Sequence, residues 1–71
     1  MVEAQLLKED FIKNNRKIIG GEIRKYREKK GFSQERLANL MDISRATISK
    51  IENGKFAFSV DYLSKFAWHL N

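Results

Sequence analysis

The chain contains no cysteine, no proline and a single histidine, and each shortage narrows what the protein can be. Without cysteine there is no disulfide and no thiol nucleophile, and with one histidine almost every common zinc-ligand pattern is excluded. A domain of 71 residues that lacks such cross-links must be held together by well-packed helices or by a second subunit. The absence of cysteine also fits a reducing cytoplasm.

Long hydrophobic runs and a basic leader are absent as well. No apolar stretch approaches the roughly 20 residues that a membrane span requires, and the first ten residues include acids where a secretory signal would be basic. We therefore expect a soluble, cytoplasmic protein without a membrane partner. A helix lying on a membrane surface over residues 1–30 is the alternative, and Glu3, Glu9 and Asp10 argue against it.

Catalytic constellations are missing from the sequence. It offers no paired carboxylates in a plausible cleft, no cluster of metal ligands and no phosphate-binding glycine loop, since Gly20-Gly21 does not follow a strand. We expect no enzymatic activity, no metal and no cofactor.

The positive charge is concentrated in one segment. The net charge is +5, and residues 15–31 alone carry seven Lys or Arg against two Glu, a local charge of +5. Such a segment attracts polyanions, chiefly nucleic acid or an anionic membrane. For a charge run taken alone, a solvated helix face is an equally common explanation.

Helical spacing of the apolar residues predicts an all-α fold of four to five short helices. A first helix over about residues 3–13 is a docked helix, a dimer arm or a frayed end. A second runs over about residues 16–29 and ends at the C-cap Gly31. Gly20-Gly21 either weakens this helix or permits close backbone approach. We divide the chain into an N-terminal extension, residues 1–14, and a domain, residues 15–71.

Three serines mark the starts of the remaining helices. Ser33, Ser44 and Ser59 are good N-caps, and Asn53-Gly54 is typical of a helix end.

The helices over residues 33–41 and 44–52 are joined by only Asp42-Ile43. So short a link makes the two helices cross steeply, as in a helix-turn-helix. Asp42 must then tolerate a left-handed backbone, which it does less easily than Gly.

The helix Ser44–Glu52 buries Ile48 and Ile51 and exposes a face of small, polar and basic residues. That face carries Ala46, Ser49, Lys50 and Asn53, with Arg45 on its flank and Thr47 near the core edge. Small residues let a helix approach the major groove of DNA, and polar tips reach base edges. An ordinary amphipathic helix facing water is the alternative, but the short turn and the basic neighbouring helix favour nucleic acid.

These residues resemble the Cro/C1-type helix-turn-helix domain, the lambda repressor-like fold. The resemblance covers about Ile19 to Leu70. It is carried by Ile19, Ile23-Arg24, Arg27, Gly31, Ser33-Gln34, Leu37-Ala38, Ile43-Ser44, Ile48-Ser49, Ile51-Glu52, Asn53-Gly54, Lys55 and the downstream stretch LSKFAWHL.

The resemblance implies a small transcriptional regulator that binds double-stranded DNA sequence-specifically. It implies a repressor acting as a homodimer, with Ser44–Glu52 in the major groove. With the helix start at Ser44 and the exposed Ser49, the candidate DNA-binding residues are Gln34, Ser44, Arg45, Ala46, Thr47, Ser49, Lys50, Asn53 and Lys55. For Lys55, plain solvation is an equal alternative.

The resemblance also implies a structural ion pair between Arg27 and Glu52. The alternative function is an antitoxin, or another protein-interaction module on the same fold, with a protein partner.

The chain departs from the family pattern at several positions. Gly is common where Asp42 stands, and Pro is common near Phe58, which we expect in the core rather than stacked on a base. Phe56 either packs or lies in a subunit interface. The family usually has a fifth helix, whereas this chain stops at Asn71, so we expect the N-terminal segment to cover that surface. The dimer surface is either this segment or the last helix, which carries Trp68.

Overall fold

The computed structural model describes the backbone of residues 2–57 and 59–71, with side chains from Leu7 onward, so the expectation for Phe58 lies outside the described residues. It contains four helices: α1 (Val2–Lys29), α2 (Gln34–Met41), α3 (Arg45–Glu52) and α4 (Val60–Leu70). The described residues form no strand. The all-α prediction is confirmed.

α1 is one uninterrupted helix, so the prediction of two separate helices over residues 3–13 and 16–29 is wrong. The expected break falls at Asn14-Asn15, and Asn lowers helix propensity by only about 0.7 kcal/mol per residue, far less than Pro. The helix therefore continues through the predicted boundary between residues 14 and 15. The division into an extension and a domain remains a prediction.

The N-terminal half of α1 extends away from the other helices. A helix of 28 residues is about 42 Å long, nearly the whole 44 Å length of the molecule. Leu7 and Phe11 are 70% and 67% exposed. The expectation that this segment covers the surface left by a missing fifth helix is therefore wrong within a single chain.

The core lies where α1 to α4 meet. Leu37, Ile48 and Ile51 are completely enclosed, and each contributes about 1.5–3 kcal/mol through burial. The full set of buried apolar residues is Ile23, Leu37, Ala38, Met41, Ile48, Ile51, Phe66 and Leu70.

Gly20 brings α1 against the C-terminal end of α3. A Cβ atom at Gly20 would clash with the carbonyl oxygen of Ile51 and lie 2.9 Å from that of Glu52. At Gly21 a Cβ atom would meet nothing within 4 Å. Close backbone approach, one of the two readings of this glycine pair, is therefore confirmed for Gly20 alone.

Serine caps begin the last three helices, as predicted. The hydroxyl oxygens of Ser33, Ser44 and Ser59 each accept a hydrogen bond from the backbone N–H three residues later, at 3.0, 3.1 and 3.4 Å. A cap of this kind stabilises a helix by about 1 kcal/mol. In helices as short as α2 and α3, this local term fixes where the helix begins.

The first three helices all end in a Schellman motif, in which a left-handed residue follows the helix. That residue is Gly31 (φ 79°), Asp42 (φ 57°) and Gly54 (φ 72°), respectively. In each case the N–H of the next residue donates to the carbonyl oxygen five residues earlier, at 3.1, 3.0 and 2.8 Å. Each chain reversal is thus closed by its own backbone hydrogen bonds.

Asp42 is the one left-handed residue among the described ones that has a side chain. We expect Asp42→Gly to raise the free energy of unfolding by about 0.5 kcal/mol, because Gly adopts this conformation without steric strain. Chemical denaturation followed by circular dichroism measures the change. Asp42→Ala is the matched control and should lower the stability; a stabilising Ala would contradict the explanation.

Candidate nucleic-acid interface

α2 and α3 form a helix-turn-helix. Only Asp42, Ile43 and Ser44 separate the two helices, with the left-handed Asp42 closing α2 and Ser44 capping α3. Because the C-cap and the N-cap are nearly adjacent, the chain turns sharply between two helical axes. The crossing is held from inside by Ala38, Met41 and Ile48, all of which are buried.

α3 divides into a buried side and an exposed side as the sequence pattern predicts, except that Ser49, expected on the exposed face, is half-buried. Ile48 and Ile51 are 0% exposed. Arg45, Ala46 and Lys50 lie on the exposed side. The solvent-facing surface of α3 therefore carries small and basic side chains. It has no acidic side chain, because Glu52 is buried.

A polar network connects α1, α2 and α3 beneath this surface. Nε and Nη2 of Arg27 donate to the two carboxylate oxygens of Glu52, at 2.6 and 3.1 Å. Nη1 of Arg27 donates to the carbonyl oxygen of Phe32 at 2.7 Å. The bidentate geometry is the strong form of an Arg–carboxylate pair, and it ties α1 to the end of α3.

The network continues outward to the exposed surface. Gln34 Nε2 donates to Glu52 Oε1 at 3.1 Å, and Arg45 Nη1 donates to Gln34 Oε1 at 3.3 Å. Arg45 is thus oriented by Gln34, which is oriented in turn by the buried carboxylate. Among the side chains that the structure describes, no buried nitrogen or oxygen atom lacks a hydrogen-bond partner.

The ion pair has an electrostatic consequence for Arg27. Hydrogen bonding to Glu52 raises the pKa of Arg27 above its already high ordinary value, against the opposing effect of desolvation. The guanidinium therefore stays charged throughout the physiological pH range.

The start of α3 is fixed by hydroxyl groups. Ser44 Oγ lies 2.8 Å from Thr47 Oγ1, in addition to its bond from the Thr47 N–H. Thr47 is half-buried. These two residues thus shape the N-terminal end of α3, which points positive backbone N–H groups outward.

The end of α3 is held by Asn53. Its Nδ2 atom donates to the Ser49 carbonyl oxygen at 2.8 Å, so the amide folds back along the helix. Lys55 follows the turn at Gly54, and its backbone N–H donates to the Lys50 carbonyl oxygen at 2.8 Å. The side chain of Lys55 is exposed.

Sequence reasoning missed a group of cations from α1 at this end of α3. Lys13, Arg16 and Lys17 line a notch together with Lys55, and the acidic Asp10 lies at the same notch. We call the four cations the basic notch. They were missed because the helix break was placed near residue 14, which assigned Lys13 to a separate segment. The concentration of charge after residue 15 and the close-packing Gly20 were the available signals.

Two further findings bear on the type of site. In the part of the chain with described side chains, no three His, Asp or Glu residues lie close enough to hold a metal ion. None of the described helices combines the length and the apolar character needed to cross a bilayer.

The fold and the exposed α3 surface define a helix-turn-helix DNA-binding protein. A family model described as helix-turn-helix matches residues 23–71, which is more than half of the chain. The chain therefore belongs to this family, the Cro/C1-like, lambda repressor-like proteins. No curated protein and no solved structure matches the chain.

Proposed function

We propose that the protein is a cytoplasmic transcriptional regulator that binds a specific double-stranded DNA site as a homodimer, without catalytic activity. The observation that carries the proposal is the exposure of Arg45, Ala46 and Lys50 on a helix whose Ile48 and Ile51 are fully buried. Each dimer places two copies of α3 in successive major grooves, about 34–36 Å apart. Its simplest mode of action is repression, by occupying a promoter.

Arg45 is the strongest candidate for reading a base. Its contact with Gln34 uses one of the five N–H donors of a guanidinium group. The planar group is held at the exposed edge of the turn, where a bidentate contact with guanine O6 and N7 is geometrically simple. Ala46 beside it lets the helix backbone approach and offers a methyl group to thymine.

Four further candidates fit contacts to phosphates. Gln34 stands at the start of α2, and Ser44 caps α3, so both are next to positive helix ends. Lys50 and Lys55 flank the other end of α3, together with the basic notch. Such contacts set the register of the protein on DNA without reading sequence.

The alternative is a protein-interaction module, such as an antitoxin that holds a partner protein. The observation that favours it is an exposed apolar surface outside the helix-turn-helix, in which Trp68 is 82% exposed. A protein partner would cover that surface and leave α3 available. DNA selection by the isolated protein distinguishes the two functions, because a pure protein-interaction module enriches no duplex.

The direct experiment is selection of duplexes from a random library, followed by measurement of the affinity for the selected duplex at increasing salt concentration. We expect an enriched palindrome and an affinity for it about 10³-fold or more above that for random DNA. Affinity should fall steeply with salt, since several cations displace counterions from the phosphates. Equally weak binding to all sequences would remove the sequence-specific function.

Two alanine substitutions separate base reading from backbone contact. We expect Arg45→Ala to relax the preference at one position of the half-site, at a cost of about 1–3 kcal/mol on the best site. Lys55→Ala should weaken binding to every sequence alike and reduce the salt slope by about 1 per subunit. Binding titrations on the selected site, its point variants and a random duplex measure both. An unchanged preference in Arg45→Ala would mean that another residue reads the site.

A further inference from the structure

The segment of α1 from Leu7 to Ile18, which we call the arm, carries an apolar stripe that faces solvent. Leu7, Phe11 and Ile18 are four and seven residues apart, which places them on one face of the helix. They are 70%, 67% and 63% exposed. The buried face of the same helix, with Ile23 and Arg27, points elsewhere. The helix therefore has two apolar faces, and the one outside the core is exposed to solvent.

The stripe leads into an apolar groove between α1 and α4. Ile18 and Tyr26 form one wall of this groove, and Leu63 and Leu70 form the other. Glu22 also lines it. The arm continues directly into the α1 wall of the groove. One chain therefore has both an exposed apolar helix face and an apolar groove that could bind such a face.

We propose that a second copy of the chain occupies this surface, with the two α1 helices antiparallel and each arm lying along the groove of the other copy. The dyad passes between Asn14 and Asn15. Phe11 of one copy then lies opposite Ile18 of the other, and Leu7 reaches the level of Glu22. This inference deepens the proposed function, of which dimerisation is a part, by naming the interface.

Charge complementarity favours the antiparallel register. With the dyad at residues 14–15, Asp10 of one copy lies near the level of Lys17 of the other, and the two share one flank of the stripe. On the opposite flank, Lys8 lies near the level of Glu22. Two-fold symmetry repeats both pairs, so oppositely charged side chains face each other at four places.

The centre of the stripe supports the same register. Asn14 interrupts the apolar spacing between Phe11 and Ile18, and its side chain is exposed. A single polar residue at such a position specifies register and oligomer state in paired helices, because an amide in the interface needs a hydrogen-bond partner there. In the proposed dimer the Asn14 residues of both copies meet at the dyad.

Sedimentation or light scattering on the DNA-free protein tests the interface. We expect a mass of twice 8.3 kDa for the unmodified chain at micromolar concentration. Phe11→Glu should raise the dimer dissociation constant about thirtyfold or more, because it places a charge at the centre of the apolar stripe. Its helical circular dichroism should persist, because Phe11 lies outside the core.

Trp68→Glu is the matched control, since Trp68 is equally apolar and 82% exposed but does not line the groove. It should leave the dimer mass unchanged. A monomer produced by Trp68→Glu and not by Phe11→Glu would overturn the proposal and place the interface on α4.

Engineered cysteines test the register, because the chain has no cysteine of its own. Under mild oxidation Asn14→Cys should form a disulfide-linked dimer, whereas Lys25→Cys should not, since an antiparallel dyad separates the two copies of residue 25 by about 30 Å along the helices. Efficient cross-linking at residue 25 would indicate parallel helices and contradict the model.

A charge swap provides a test that a general loss of solubility cannot mimic. Lys8→Glu should weaken the dimer, and adding Glu22→Lys should restore it. Failure of the double variant to recover would refute the pairing. A chain that is monomeric in every buffer yet selects a DNA site would defeat this interface and leave the DNA-binding function standing.

Discussion

Gly20→Ala is expected to destabilise the protein by about 1–3 kcal/mol, although Ala is the better helix former. Inside a helix the change alone would add up to about 1 kcal/mol of stability. Here the added methyl group meets the carbonyl oxygens of Ile51 and Glu52, which are backbone atoms that cannot rotate away. α1 and α3 must therefore separate, and overpacking of this kind costs about 1–3 kcal/mol or more. Thermal unfolding should show a fall of about 4–8 °C for each kcal/mol.

Gly21→Ala is the matched control for this experiment. It lies one residue further along the same helix, and a Cβ atom there meets nothing within 4 Å. We expect it to raise the melting temperature, because only the helix-propensity term remains. Two changes of equal chemistry at neighbouring positions should thus have opposite signs. If both stabilise, α1 and α3 are not in the close contact described above.

The second large effect is expected from Glu52→Ala, which should cost about 3–5 kcal/mol. The substitution leaves the guanidinium of Arg27 buried, at 8% exposure, without its carboxylate partner. A domain of this size has only about 4–11 kcal/mol of stability in total. Much of the population should therefore unfold at moderate denaturant concentration, as measured by urea titration.

Two controls test whether the loss of stability comes from a buried charge that has lost its partner. Arg27→Met combined with Glu52→Leu should recover most of the lost stability, because apolar residues of similar size replace both charges. Glu28→Ala removes the exposed pair between Arg24 and Glu28 and should cost less than about 1 kcal/mol. Equal losses in Glu28→Ala and Glu52→Ala would contradict the importance of burial.

The pH dependence of this ion pair follows from the raised pKa of Arg27. A group whose pKa is higher in the folded state stabilises fully below its unfolded pKa and loses that effect only as pH rises through the folded value. For Arg both values lie far above neutral pH. The contribution of the Arg27 proton is therefore constant at neutral pH, and a stability change there must come from other groups.

Short-range signals predicted the helix-turn-helix well, because its boundaries are set by residues within one or two turns. Ser33, Ser44 and Gly54 act through hydrogen bonds to neighbours at most five residues away. The burial of Ile48 and Ile51 follows from helical periodicity alone. Each of these features is visible in a short window of sequence.

The features that were missed depend on contacts between distant segments. Asn14 and Asn15 gave no reason to expect one helix rather than two, because residues of intermediate helix propensity are helical or not according to their tertiary contacts. That error hid the basic notch, in which Lys13 and Lys17 of α1 lie beside Lys55 at the end of α3. The family resemblance implies that Gln34 braces α3, but the particular hydrogen bond from Arg45 to Gln34 was not predicted, because it requires the positions of three helices at once.

The unbroken course of α1 has a mechanical consequence for the surface that carries Arg45. One continuous helix connects the N-terminal end of the molecule to Gly20, which contacts α3, and to Arg27, which is hydrogen-bonded to Glu52. The helix is continuous along this length, so a change in the tilt of its N-terminal end also rotates the end that contacts α3. Adding one residue between tip and contact would turn the two ends about 100° out of phase.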